Sequence, residues 1–236
     1  MKKSTVTLLL LSSIAISYSQ ESSTNIDDMC FLVGTLNDYM GREKYKNIES
    51  RVDEYYKSDS LLALFIDSIF KDTYSDLKFD IAKKTGRLEL HSKLLTEKID
   101  EYYTYKPSGR MSYCGEVDLR TLNLDSLTKT KDFYATNFDT IYTGRLKTNI
   151  FKNDLQRLSF LTGVCVRFME SNDTISCVRI YNSVSKAKVF ANTLKELGCR
   201  NVEYKLEKKI PVNHIVYFSP TDELKKYIDE YMYLRQ

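Results

Sequence analysis

The residues of this chain that could do chemistry are two histidines, five cysteines and a few arginines set on an alternating pattern. His91 and His214 show none of the paired spacings that a zinc site or a nucleophile triad requires. Each borders an apolar run, so both are read as structural, and no spacing supports a pair such as Cys114 with His214. The arginines say more. Val164, Val166 and Phe168 alternate with Cys165, Arg167 and Met169; after the polar Glu170-Ser171-Asn172-Asp173, Val178 and Ile180 alternate with Cys177, Arg179 and Tyr181. Alternation on both sides of a turn reads as a β-hairpin, with Cys165, Arg167, Cys177 and Arg179 on one face. Cross-strand neighbours lie about 5 Å apart, within reach of a disulfide, so Cys165–Cys177 is the expected bridge. The same register sets Arg167 beside Arg179, a like-charge pair that costs stability unless an anion intervenes. Glu203 or Glu207 on the following strand is the nearer source of that anion. The alternative is an acidic group on a partner or ligand, bound by Arg167, Arg179, Tyr181 and Lys205.

Other patterns carry less. Ser75-Asp76-Leu77-Lys78, Ser183-Val184-Ser185-Lys186 and Lys84-Thr85-Gly86 match pieces of the serine β-lactamase and penicillin-binding signature, but their order along the chain is wrong for it. Tyrosines cluster at Tyr55-Tyr56 and Tyr102-Tyr103-Tyr105, which suits a contact surface and suits helix packing equally. The chain has no tryptophan, which weakens a reading as a sugar-stacking module. No pattern calls for a cofactor or a metal.

The elements that must position these residues are clearest from Asn149 onward. Phe151, Leu155, Leu158 and Leu161 recur at helical spacing up to Gly163, and the hairpin follows. A helix capped by Asn182 or Ser183 comes next, with Ala187, Phe190, Ala191, Leu194 and Leu197 on one face and Gly198 at its end. Val202, Tyr204 and Leu206 alternate; Pro211 separates them from the apolar run Ile215 to Phe218, and Ser219-Pro220-Thr221-Asp222 opens a last helix. The expected class is α+β: a helical N-terminal part, then an αββαββα domain at 149–236 with a four-stranded antiparallel sheet. In the N-terminal region, 20–105, helical stripes run through Met29 to Met40 and Leu62 to Phe70, and Leu95, Ile99 and Tyr102 mark another helix. Around Gly86 a hairpin and a continuous helix are both compatible with the pattern. Polar and turn residues over 106–148 read as a linker region with one short strand near Val117, and no repeat is visible beyond the twofold ββα of the C-terminal part.

The stretch Phe160-Leu161-Thr162-Gly163-Val164, followed by the helix that ends Leu194-Lys195-Glu196-Leu197-Gly198, resembles the αββαββα core of the LAGLIDADG homing endonucleases over Asn149 to Gln236. What the resemblance implies is a fold for this part. Those enzymes place a metal-binding acid soon after the glycine, where this sequence has Val164, Cys165, Val166 and Arg167. The activity is accordingly not carried over.

Lys2-Lys3, an apolar stretch from Val6 to Ile16 and the small residues Ser17 and Ser19 read as a secretory signal cleaved after Ser19. The stretch falls short of the about 20 residues a membrane span needs, and no later window approaches that length. The expected location is outside the cytoplasm, in the periplasm or beyond a bacterial cell. Lys+Arg number 35 against 32 Asp+Glu, and loss of Lys2 and Lys3 brings the balance closer still, so no electrostatic case for nucleic acid exists. The expected function is a non-enzymatic interaction or accessory binding module for a protein or acidic ligand. A secreted hydrolase without a recognisable motif is the alternative.

Overall fold

Gly163 does not stop a helix. In a computed structural model, which describes residues 25–82, 85–115, 137–170 and 175–235, the helix that starts after Asn153 runs through it from Asp154 to Phe168 (α4). The strand expected over Val164–Phe168 is thereby corrected. Every residue from Leu158 to Val166 is buried. In a run wholly enclosed by the core, alternation loses its power to tell strand from helix. The glycine permits close approach instead. α4 crosses a helix at Asp28–Thr35 (α1); a Cβ on Gly163 would lie 2.2 Å from the Phe31 carbonyl oxygen, and one on Gly34 would lie 2.3 Å from that of Phe160. In each helix the carbonyl lies three residues before the glycine, so the contact is reciprocal.

That reciprocity extends to the order of elements. After α1 come β1 (Arg42–Lys44), β2 (Arg51–Tyr55), α2 (Ser60–Phe70), β3 (Lys78–Ile81), β4 (Leu88–His91) and α3 (Lys93–Asp100). After α4 come β7 (Met169–Glu170), β8 (Ser176–Tyr181), α5 (Val184–Glu196), β9 (Arg200–Glu207), β10 (Asn213–Ser219) and α6 (Asp222–Tyr231). Both parts read αββαββα, a repeat that extends beyond the twofold ββα expected in the C-terminal part. The C-terminal part forms the expected four-stranded antiparallel sheet, in the order β7-β8-β10-β9; the N-terminal part matches it with β2-β4-β3. Of the two readings at Gly86, the hairpin is the one that forms.

The segment read as a linker holds most of two long strands, β5 (Tyr103–Tyr113) and β6 (Phe138–Leu146). They pair with each other, and β6 pairs on its other side with β1, in a third sheet, β1-β6-β5. Val117 and the leader at 1–19 lie outside the described residues.

Local chemistry fixes the helix starts. Asp27 accepts from the Cys30 amide (2.9 Å) and Asn153 from that of Gln156 (2.9 Å), satisfying first-turn donors of α1 and α4. The two caps are tied together, since Gln156 donates its side-chain amide to Asp27 (3.0 Å) and the Asp27 amide donates to Ser159 (2.8 Å). Around the crossing, Phe31, Phe65 and Tyr231 close a ring trio with centroids 5.5–5.8 Å apart.

Candidate functional site

Where α1 ends, the chain buries charge. The last carbonyls of a helix have no intrahelical donor and carry the negative end of its dipole. Lys186, from the first turn of α5 and fully buried, donates to the carbonyls of Val33 (3.0 Å), Gly34 (3.3 Å) and Leu36, and lies 3.3 Å from the Asp38 carboxylate. Asp38 also accepts from the Tyr103 hydroxyl (2.9 Å). Arg167, in the last turn of α4, donates to the carbonyls of Thr35 (2.6 Å) and Glu54 (2.6 Å), pairs with Asp53 and stacks over Tyr55 at 4.8 Å. Arg42 reaches from β1 to the Val52 carbonyl (3.0 Å).

Both buried cations at α1 come from the C-terminal part, and every acceptor named for them lies in the N-terminal part. Burial pulls the Lys186 pKa below its ordinary value against the opposing pull of Asp38. With its donors directed at carbonyls and Asp38, Lys186 acts as a clamp across the crossing, and so does Arg167. Neither cation can be turned toward a substrate without leaving a helix end unsatisfied in the core.

Arg167 is thus not on the face where the sequence places it. Arg179, Tyr181 and Lys205 do share one: Arg179 in β8 and Lys205 in β9 both stand opposite Ile215 in β10, and Tyr181 lies two residues beyond Arg179. The helices pack on the other side, against Val178, Val216 and Phe218, all fully buried. Arg179 meets Glu170 through two bonds (2.6 and 3.0 Å) and Glu207 through a third (3.4 Å). Hydrogen bonding to Glu170 raises its pKa further, so its charge is fixed. Glu207 was foreseeable as the counter-charge, whereas Glu170 was not. Once the helix is seen to continue to Phe168, the strand begins at Met169, and Glu170 then pairs with Cys177 on the Arg179 face. Lys205 keeps a long contact to Glu207 (3.8 Å), and Tyr181 is 43 % exposed.

No protein-family model and no curated protein matches this sequence. Seven chains of solved structures do. Among them is one from a study of mesophilic variants of the homing endonuclease I-DmoI, 12% identical, with 89% of this chain and 97% of that chain covered and a TM-score of 0.48.

The expected Cys165–Cys177 bridge is corrected with the hairpin: all five cysteines are free, and Cys165 sits within α4 rather than on a strand beside Cys177. Burial raises the thiol pKa of Cys165 and of Cys30. A thiol reagent applied to the native protein is therefore expected to modify Cys114 and Cys199 first, with Cys30, Cys165 and Cys177 reacting only on unfolding; mass spectrometry of the labelled peptides reads the order. His214 is buried with its Nδ1 2.6 Å from the Tyr204 hydroxyl, and burial lowers its pKa, which keeps it neutral in the core. His91 lies 3.5 Å from Glu89 on the N-terminal sheet. Among the described residues no group of three or more His, Cys, Asp or Glu is placed to hold a metal ion, and no helix is long and apolar enough to cross a membrane.

Proposed function

We propose that the protein is a non-enzymatic binding module, exported with residues 1–19 removed, that engages a protein partner through the exposed Tyr181 and Lys205 and the half-buried Arg179 on the face of its C-terminal sheet turned away from the helices. One observation carries the reading: Arg179, Tyr181 and Lys205 stand together on the sheet face turned away from the helices. Around them, Glu170 and Glu207 hold Arg179 in a bidentate and a single bond that a partner carboxylate can exchange. A tyrosine with an apolar body and polar tip, beside an arginine, is the composition that anchors protein contacts. The buried charges are already committed to joining the two parts, which leaves recognition to the surface.

The test is affinity capture from the exported fraction of the native cell, with wild-type protein and an Arg179→Glu/Lys205→Glu variant compared side by side. A partner held by wild type and lost at least about tenfold by the variant is expected, with a mature amino terminus at Gln20. Equal recovery by both proteins, or turnover of a substrate from a hydrolase panel, would overturn the reading.

A further inference from the structure

Apart from the Arg179 face of the sheet, a cleft of about 440 Å³ lies at the amino end of α5. Its polar lining includes Thr143, Arg145, Asn182, Ser183, Ser185 and Lys188, and among the described residues no carboxylate lines it. Arg51, Arg87, Arg110, Arg157 and Arg179 each have a Glu or Asp within reach. Arg145 and Lys188 have no ion pair among the described residues.

The end of the helix likewise has no protein cap among the described residues. Ser183 occupies the N-cap position of α5 without a side-chain capping bond. It is 2 % exposed, and its Oγ has no hydrogen-bond partner among the described residues. A buried hydroxyl in that state costs free energy unless something from outside completes it. The first-turn amides of Val184, Ser185 and Lys186 likewise have no protein acceptor among the described residues. Together they present the positive end of a 13-residue helix. The backbone behind them is held in place: Asn182 exchanges bonds with Val212 (amide to carbonyl 2.8 Å, side chain to amide 2.8 Å), and its carbonyl accepts from the Met40 amide (3.0 Å). Lys186 turns the opposite way, into the core, and does not belong to the cleft.

We propose that this cleft binds a phosphate monoester, its phosphate seated on the α5 amides and Ser183 between Arg145 and Lys188, its organic body against Met40, Val184 and Val189. The absence of lining carboxylates, two unpaired cations and an uncapped helix start are the features that favour a dianion. The volume exceeds what a bare phosphate fills, and the apolar side of the lining accounts for the remainder.

The experiment is an amide-shift titration of the isotope-labelled full chain with phenyl phosphate and, separately, with inorganic phosphate. Saturable shifts centred on Val184, Ser185 and Lys186 are expected, with phenyl phosphate binding about tenfold more tightly than inorganic phosphate. Arg145→Ala/Lys188→Ala, which removes two exposed side chains and should leave the melting temperature unchanged, is expected to weaken phenyl phosphate at least about tenfold. The Arg179→Glu/Lys205→Glu variant should bind it like wild type, which separates this proposal from the sheet-face reading. No saturable shift at these amides with millimolar phenyl phosphate, or equal affinity in wild type and the Arg145→Ala/Lys188→Ala variant, would overturn it.

Discussion

Gly163→Ala is expected to destabilise the protein by about 3 kcal/mol or more, the upper part of the range for overpacking a core. The added methyl would lie 2.2 Å from the carbonyl oxygen of Phe31, a backbone atom that no rotamer change can move aside. Relief requires α1 and α4 to separate, which loosens the contacts between helices whose faces are both buried. Gly34→Ala meets the Phe160 carbonyl in the same way at 2.3 Å and should cost a similar amount. Because both substitutions push on one crossing, separation forced by the first makes room for the second. The double variant should therefore lose less than the sum of the two singles. Urea unfolding midpoints of the four proteins check this; a Gly163→Ala protein as stable as wild type would mean that the helices do not cross here.

The second large effect is expected at Lys186. Lys186→Met keeps most of the side-chain volume but removes the donor shared by the Val33, Gly34 and Leu36 carbonyls, and it leaves Asp38 with Tyr103 as its remaining named partner. Removing one member of a buried ion pair costs about 3–5 kcal/mol, a large fraction of the about 5–15 kcal/mol that holds a typical domain together. Adding Asp38→Asn to Lys186→Met should recover part of the loss, since the uncompensated charge is then gone while the Tyr103 hydroxyl keeps an acceptor. The same unfolding measurement reads both proteins. A Lys186→Met protein within about 0.5 kcal/mol of wild type would show that the lysine is a surface group.

How far the sequence could be read depended on where each signal was local. The apolar stripe of α5, the alternation in β9 and the apolar run of β10 are properties of neighbouring residues, and all three elements form. The start of α6 falls within the Ser219-Pro220-Thr221-Asp222 stretch: its cap is Thr221, which accepts from the Leu224 amide. Gly163 was misread because a glycine that ends a helix and one that lets two helices touch look alike until the second helix is known. The clue was present, since Phe31-Leu32-Val33-Gly34 and Phe160-Leu161-Thr162-Gly163 are near copies that mark corresponding turns of α1 and α4. β5 was hidden for another reason. Lys106-Pro107-Ser108-Gly109 reads as a turn, and the strand accommodates it through a register shift between Pro107 and Met111, with Gly109 at a φ of 76°.

The charged centre was least legible. Lys186 falls on the buried stripe of α5 four residues before Phe190, where a lysine looks like a lapse in the pattern. Its partners on α1 are about 150 residues away, so no local spacing can announce them. The expected need of Arg167 for an anion rests on a strand position beside Arg179 that it does not occupy; its anion is Asp53, 114 residues distant, rather than a glutamate on the next strand.

The most direct test of the account is a double-mutant cycle on that pair. If buried cations of the C-terminal part clamp the N-terminal part, Asp53→Ala and Arg167→Ala should each be costly, and the two together should cost less than their sum by about 2 kcal/mol. Stabilities that add to within about 0.5 kcal/mol would mean that Asp53 and Arg167 do not interact, and the joint described between the two parts would be contradicted.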